Sequence, residues 1–281
     1  NGAGSVHAQN TFERLGCEVT PLYCELDGDF PNHHPDPSRP ENLADLKKEV
    51  CDSRLDIGFA FDGDADRIGV ISPKGEIIYP DMQMIIFAEH ILKSRPESKI
   101  VFDVKCSKLL SQSITDNNGT PIMCKTGHTF IKETLRNESA ILGGEMSGHI
   151  FFNDRWPGFD DGIYAAARLL EIISEQKEGV DIFDNLPSLY STPEINLSAT
   201  DESKFEIVES FKELYNFPEA ELIDIDGVRL EFPEGWGLLR ASNTSPVLVL
   251  RFEASTEIAL NEIKNKFKRL LKKIDPNIEE F

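Results

Sequence analysis

The sequence predicts an α/β protein that ends in an α+β domain. Two observations predict it. Between about residues 57 and 175, short apolar runs alternate with segments of helical period, the order expected of βαβ units with parallel strands. From about residue 222 to 252, several strand-like runs follow one another and helices flank the block, which reads as α+β. Boundaries near residues 79–80 and 187–193 divide the chain into expected domains at 1–79, 80–189 and 190–281.

The elements follow in order. Asn1-Gly2-Ala3-Gly4 is a tight-turn sequence, and residues 5–15 read as a short helix. A glycine turn that opens a helix normally follows a strand, so the chain reads as starting inside a βα unit whose first strand is missing. A strand is expected over 18–24. Residues 27–40, rich in Pro, Asp, Asn and His, form a loop. His33 and His34 sit in that loop; adjacent residues rarely ligate one ion together, so they read as surface residues. A helix begins near Glu41, with Leu43, Leu46 and Val50 on one side. Strands are expected at 57–61, 68–71 and 76–79, with a turn at Pro73–Gly75.

Helices then fall at 81–94, 107–116 and 129–137, and strands at 99–104, 120–124 and 140–142. Asp160 is expected to cap an amphipathic helix reaching about residue 175. In the last third, 192–197 reads as a strand, 202–214 as a helix and 258–274 as a basic amphipathic helix.

Composition excludes several function classes. The 281 residues hold 29 basic and 49 acidic side chains, a net charge of −20, with a pI near 4.7. No basic nucleic-acid footprint is present, and anionic membrane surfaces are disfavoured as partners. The five cysteines, Cys17, Cys24, Cys51, Cys106 and Cys124, are odd in number and form no Cys-x-x-Cys, which argues against a disulfide framework and a zinc site. With no signal peptide or membrane-length apolar run, the cytoplasm is the expected compartment.

Chemistry concentrates in a few stretches. Asp62-Gly63-Asp64-Ala65-Asp66-Arg67 follows the apolar run 57–61. Extended residues at i, i+2 and i+4 point one way, and three converging carboxylates repel one another unless a cation joins them. A hard divalent ion with oxygen ligands meets that need, and Mg2+ is the usual choice beside phosphate. Arg67 adds a fixed positive charge, so the stretch suits phosphoryl chemistry. A solvated acidic turn is the bland rival. An EF-hand loop fails, because Arg67 stands where Gly is required and Pro73 where a bidentate Glu is required.

Gly143 through Phe152 follows another buried run. If the segment is extended, Glu145, Ser147 and His149 face one way and offer an acceptor, a hydroxyl and an imidazole to a polyol such as a sugar. His149 could move a proton near neutral pH. Arg240-Ala241-Ser242-Asn243-Thr244-Ser245-Pro246 reads as a tight loop whose guanidinium, hydroxyls and amide suit phosphate oxygens, with Arg251 returning nearby. Lys105 and His128 lie at strand-to-helix junctions, the ligand edge of an α/β domain. Each of these alone is also compatible with a purely structural role.

Taken together, Asp62 to Arg67, Thr126-Gly127-His128, Gly144 to His149 and Arg240 to Pro246 resemble the motifs of the α-D-phosphohexomutases, in that family's order and across nearly the whole chain. Met146-Ser147 and Ala241-Ser242-Asn243-Thr244 resemble its mannose/glucose branch; the glucosamine branch usually carries Gln at the first position and Pro-Ser-Gly-Thr in the phosphate loop. The resemblance implies α/β/α domains with mixed sheets and a C-terminal α+β domain, of which this chain holds most of the second, the third and the fourth. The first, with the serine that is phosphorylated, is absent, and no Ser-His-Asn-Pro motif occurs here.

The resemblance further implies a Mg2+-dependent transfer of phosphate between O1 and O6 of mannose or glucose through a hexose bisphosphate, by a monomeric enzyme. Asp62, Asp64 and Asp66 would hold Mg2+, with Arg67 beside the transferring group. Glu145 and Ser147 would hold sugar hydroxyls. His149 and Lys105 would assist proton transfer or bind ligand, and His128 would line the cleft. Arg240, Ser242, Asn243, Thr244 and Arg251 would grip the other phosphate. The chain alone is expected to be inactive. Two alternatives stand beside this reading: an aspartyl-phosphate phosphatase with Asp62 as nucleophile, and a fragment that only binds metal or sugar phosphate.

Overall fold

The computed structural model describes residues 1–177 and 181–281. It divides into two compact units, Asn1–Leu186 and Pro187–Phe281.

In the first unit, α1 (Ala8–Arg14) and α2 (Ala44–Ser53) precede an antiparallel meander of β1 (Gly58–Phe61), β2 (Ile68–Ile71) and β3 (Ile77–Ile78). Leu43 and Val50 pack on Ile71 from one side. Next come α3 (Pro80–Ser94), β4 (Lys99–Asp103), α4 (Lys108–Asp116), β5 (Thr120–Cys124), α5 (His128–Glu138), β6 (Leu142–Gly144), β7 (Ile150–Phe152) and α6 (Gly162–Ser174). The strands form a sheet in the order β5-β4-β6-β7, parallel except for β7.

The period of two decides which helix covers which face. Ile100 and Phe102 look toward α3, α4 and α6, in a cluster with Met84, Phe87, Leu110 and Leu169. Val101 looks the other way, onto Ile131 and Leu135 of α5. Both faces are thus buried, as a parallel sheet requires. Phe87 meets Phe152 edge-on at 5.0 Å, and burying each such ring contributes roughly 2–3 kcal/mol.

The second unit is an antiparallel sheet with two helices on one face. It comprises β8 (Tyr190–Ser191), β9 (Ile195–Ser198), α7 (Ser203–Leu214), β10 (Glu221–Ile223), β11 (Val228–Phe232), β12 (Gly235–Ala241), β13 (Val247–Ala254) and α8 (Glu257–Ile274). β10 to β13 pair in sequence, and β8 and β9 share the far edge of β13. Phe211 of α7 and Ile263, Phe267 and Leu271 of α8 cover Leu239, Leu250 and Phe252. Thr256 caps α8 by accepting from the Ala259 N–H at 3.1 Å.

Several expectations are corrected. Residues 18–24 form no strand: Pro21 lacks an N–H and Tyr23 sits in the left-handed region at φ 53°, so a ladder cannot run through them. The strand expected at 140–142 lies at Leu142–Gly144, because its partners are Ile100 to Phe102 of β4. The cap of α6 is Asp161, whose Oδ1 accepts from the Tyr164 N–H at 2.9 Å; Asp160 is left for other contacts. Arg240 belongs to β12 and not to the loop after it. The cysteines, by contrast, are all free, as expected, with Cys106 and Cys124 buried.

Candidate active site

The metal loop is bent, not extended. After β1, the chain turns through Ala65 at φ 65°, a conformation uncommon for a residue with a Cβ. The turn still gathers Asp62, Asp64 and Asp66, whose carboxylate oxygens lie within 4.8 Å of one another. Two glycines let neighbouring backbone lie directly on this loop. A Cβ on Gly2 would stand 2.7 Å from the Gly63 carbonyl oxygen, and one on Gly162 would stand 2.7 Å from that of Arg67. Hydrogen bonds fix both approaches: Ala3 N–H donates to Gly63 O at 2.8 Å, and Gly162 N–H to Ala65 O at 2.9 Å. The opening Gly-Ala-Gly turn and the start of α6 therefore clamp the loop from two directions.

Arg67 locks one of the three carboxylates. Its backbone N–H donates to Asp62 Oδ1 at 3.1 Å, and its Nε donates to Asp62 Oδ2 at 2.7 Å. Its Nη1 reaches Asp36 Oδ1 at 3.2 Å. Asp66 carries no such cation, and its pKa rises to about 7 through burial and the charges of Asp62, Asp64 and Asp160. The donor set is all oxygen and strongly self-repelling, which fits a hard divalent ion.

Glu145, Ser147 and His149 converge by a turn rather than by a pleat. They lie in the hairpin between β6 and β7, closed by Glu145 N–H to His149 O at 3.0 Å and Gly148 N–H to Glu145 O at 3.0 Å. Glu145 Oε2 faces His149 Nδ1 at 3.0 Å and accepts from Ser147 Oγ at 3.2 Å. Its Oε1 accepts from the Gly127 N–H. Burial and the nearby Asp103 raise the Glu145 pKa to about 7, against the pull of the Gly127 N–H and Lys105. Burial lowers that of His149 to about 4, with the charge of Arg67 adding to it. At neutral pH the imidazole is uncharged.

The two loops meet. Arg67 and His149 form an antiparallel backbone bridge, Ile68 N–H donates to Gly148 O at 3.1 Å, and His149 Nε2 lies 3.1 Å from Asp66 Oδ1. The acidic loop and the hairpin between β6 and β7, some eighty residues apart in sequence, thus form one surface. Lys105 is buried at the end of β4, and its charge acts on Glu145. His128 opens α5 and is half exposed, its ring 5.6 Å from that of His149.

In the second unit, Arg240 is 4% exposed at the end of β12. Asp226 Oδ2 accepts from its Nε at 2.9 Å, while its Nη2 is buried without a hydrogen-bond partner. Ser242 Oγ accepts from the N–H groups of Thr244 and Ser245 at 3.4 and 3.2 Å, bending the loop so that Asn243 and Thr244 are exposed. Arg251 is buried on β13, 5.7 Å from the Trp236 ring.

Comparison with known proteins divides the first unit in two and keeps the second. Profiles described as "Phosphoglucomutase/phosphomannomutase, alpha/beta/alpha domain II", "alpha/beta/alpha domain III" and "C-terminal domain" match residues 1–75, 79–190 and 194–270. The chain belongs to the phosphohexomutase family. A Pseudomonas aeruginosa protein named phosphomannomutase/phosphoglucomutase is 52% identical over 279 residues, covering 99% of this chain and 60% of the relative. A Neisseria gonorrhoeae phosphoglucomutase is 51% identical over 273 residues, covering 96% of this chain and 59% of that one. The crystal structure of a phosphoglucomutase/phosphomannomutase family protein from Burkholderia thailandensis superposes with a TM-score of 0.93 at 46% identity, covering 99% of this chain and 60% of that one. The chain thus spans about three-fifths of the length of these relatives.

The roles of four acidic residues of this phosphohexomutase chain escaped the sequence reading. Asp36 holds Arg67. Asp103, fully buried, accepts from Thr126 Oγ1 at 3.1 Å and the Met146 N–H at 3.3 Å, tying the hairpin to the 126–128 junction. Asp160 accepts from Lys132 Nζ at 2.7 Å and faces the two histidines. Asp226 holds Arg240. Only Asp160 left a signal, as one of two adjacent acids before a helix that needs one cap.

Proposed function

We propose that the whole protein is a Mg2+-dependent mutase that moves phosphate between O1 and O6 of mannose or glucose through a hexose bisphosphate. The observation that carries this reading is the junction of metal loop and hairpin at Asp66 and His149, 3.1 Å apart. A charge-compensating centre and a polyol-binding edge are then within reach of one small substrate. Asp62, Asp64 and Asp66 would hold the ion, which when bound supplies positive charge beside the transferring phosphate.

The chain's own groups do the rest. Arg67 orients Asp62 and borders the transferring group. Glu145 and Ser147 take sugar hydroxyls. His149, neutral at pH 7, holds or accepts a proton at Nε2, with Lys105 as the nearby cation and His128 on the open side. Arg240, whose Nη2 has no hydrogen-bond partner, grips the phosphate that stays in place, and Ser242, Asn243, Thr244 and Arg251 complete that grip. Gripping one end of the sugar while the other reacts lets either end be presented in turn. The same reading gives three domains at 1–79, 80–189 and 190–281, a monomer in the cytoplasm, and no nucleic-acid or membrane partner. Among the described residues no helix is long and apolar enough to cross a membrane.

The phosphatase alternative is disfavoured because both oxygens of Asp62 accept from Arg67, which blunts it as a nucleophile. The test is direct. The full-length protein with Mg2+ and glucose 1-phosphate or mannose 1-phosphate should form the 6-phosphate, followed by 31P NMR. The 281-residue chain, without a Ser-His-Asn-Pro motif, should form none. Release of inorganic phosphate in place of the 6-phosphate would overturn the mutase reading.

A further inference from the structure

A second set of ligands lies against the oxygen triad. Asp66, His149 and Asp160 each offer one atom, all within 4.8 Å of one another. His149 Nε2 stands 3.1 Å from Asp66 Oδ1 and 4.0 Å from Asp160 Oδ2. The edge of a tetrahedral zinc site is about 3.4 Å, given metal–ligand bonds of about 2.0–2.1 Å. The two separations bracket that value.

An independent observation points into the same space. The Asp160 side chain is 7% exposed, and its Oδ2 is buried with no hydrogen-bond partner. Lys132 Nζ takes Oδ1 at 2.7 Å, and Oδ2 is the oxygen that faces the imidazoles. His149 is prepared in the way ligating histidines usually are: Nδ1 faces a carboxylate, Glu145 Oε2, at 3.0 Å, which fixes the ring and turns the Nε2 lone pair toward Asp66 and Asp160. His128 Nδ1 lies 3.9 Å from the same Asp160 oxygen but is held by Lys132 Nζ at 3.1 Å, so the three residues leave the fourth position to solvent.

We propose that Asp66, His149 and Asp160 form a site for a borderline-soft divalent transition metal such as Zn2+, distinct from the oxygen triad and drawing on its Asp66. The mixed nitrogen–oxygen set selects Zn2+ over Mg2+, because imidazole suits the former and Mg2+ keeps to oxygen ligands. Occupation engages the His149 nitrogen and one metal-loop carboxylate together. The proposal concerns metal binding alone and does not depend on the mutase reading.

The experiment uses the 281-residue chain and metal salts alone. In the wild-type chain, Zn2+ should move the His149 Nε2 resonance in imidazole 1H–15N spectra, and Mg2+ should leave it in place. Calorimetry should show Asp160→Asn lowering Zn2+ affinity at least tenfold while changing Mg2+ affinity less than twofold. Asp64→Asn should do the reverse, losing Mg2+ and keeping Zn2+. An unmoved His149 resonance overturns the proposal even if neither variant folds. Equal loss of both metals in Asp64→Asn, or unchanged Zn2+ affinity in folded Asp160→Asn, overturns it as well.

Discussion

Glu145 and Asp66 are carboxyl groups that the fold makes reluctant to ionise, each with a pKa near 7. For Glu145 the consequence is a pH-dependent stability. Its folded pKa lies above the usual 4.5, so between about pH 4.5 and 7 the native state holds more protons than the unfolded one, and stability falls as pH rises. Glu145→Gln removes that titration. In metal-free thermal unfolding the variant should gain on the parent as pH rises from about 6.5 to 8. The depressed His149 pKa works in the opposite sense, below about pH 6.5, and His149 touches Glu145, so the comparison is read above pH 6.5, where the His149 contribution is flat. A parent–variant difference that does not change with pH would refute the assignment. For Asp66 the consequence is competition between proton and cation. Mg2+ affinity, measured by calorimetry in buffers of different ionisation heat, should rise between pH 6 and 8 with uptake of the ion releasing up to one proton.

At the scale of elements, the site depends on backbone laid against backbone. The start of α6 touches the metal loop through Gly162, where a methyl group would stand 2.7 Å from the Arg67 carbonyl oxygen. Gly162→Ala should therefore push the loop outward, costing about 1–3 kcal/mol in stability and weakening Mg2+ binding beyond that of a control at the helix cap. Asp161→Ala is the control: it removes a side-chain cap and should cost about 1 kcal/mol with the metal loop still clamped. Equal metal affinity in the two variants would mean that the clamp does not shape the site. The hairpin between β6 and β7 shows the same dependence: its three polar side chains converge because Gly148 closes a turn, and an extended strand would have spaced them along an edge.

At the scale of the whole molecule, the proposed phosphate grip lies on a separate unit from the acidic loop, so the two proposed functions should fail independently. In the full-length enzyme, Arg240→Ala should raise KM for hexose phosphate and lower kcat/KM by about 2–4 kcal/mol, the worth of a bidentate charge-assisted contact. Mg2+ affinity should not change. Asp226→Asn, which loosens the Arg240 Nε contact, should produce a weaker effect of the same kind. A near-normal KM for folded Arg240→Ala would place the distal phosphate elsewhere.

The sequence by itself determined the elements and the family. Period and turn residues located most helices and strands within a few residues, since amphipathic burial is a local pattern. Motifs such as Asp62 to Arg67 were legible because several chemically committed residues sit side by side. Tertiary structure alone decided how they converge. Alternation suggested that Asp62, Asp64 and Asp66 share a strand face, yet a left-handed Ala65 between two glycine contacts brings them together. The strand expected at 18–24 failed because a strand exists only where a partner accepts its hydrogen bonds. The roles of Asp36, Asp103, Asp160 and Asp226 were not legible for a related reason: each works on a residue at least fourteen positions away, and no local pattern records which acid will meet which donor once the chain has folded.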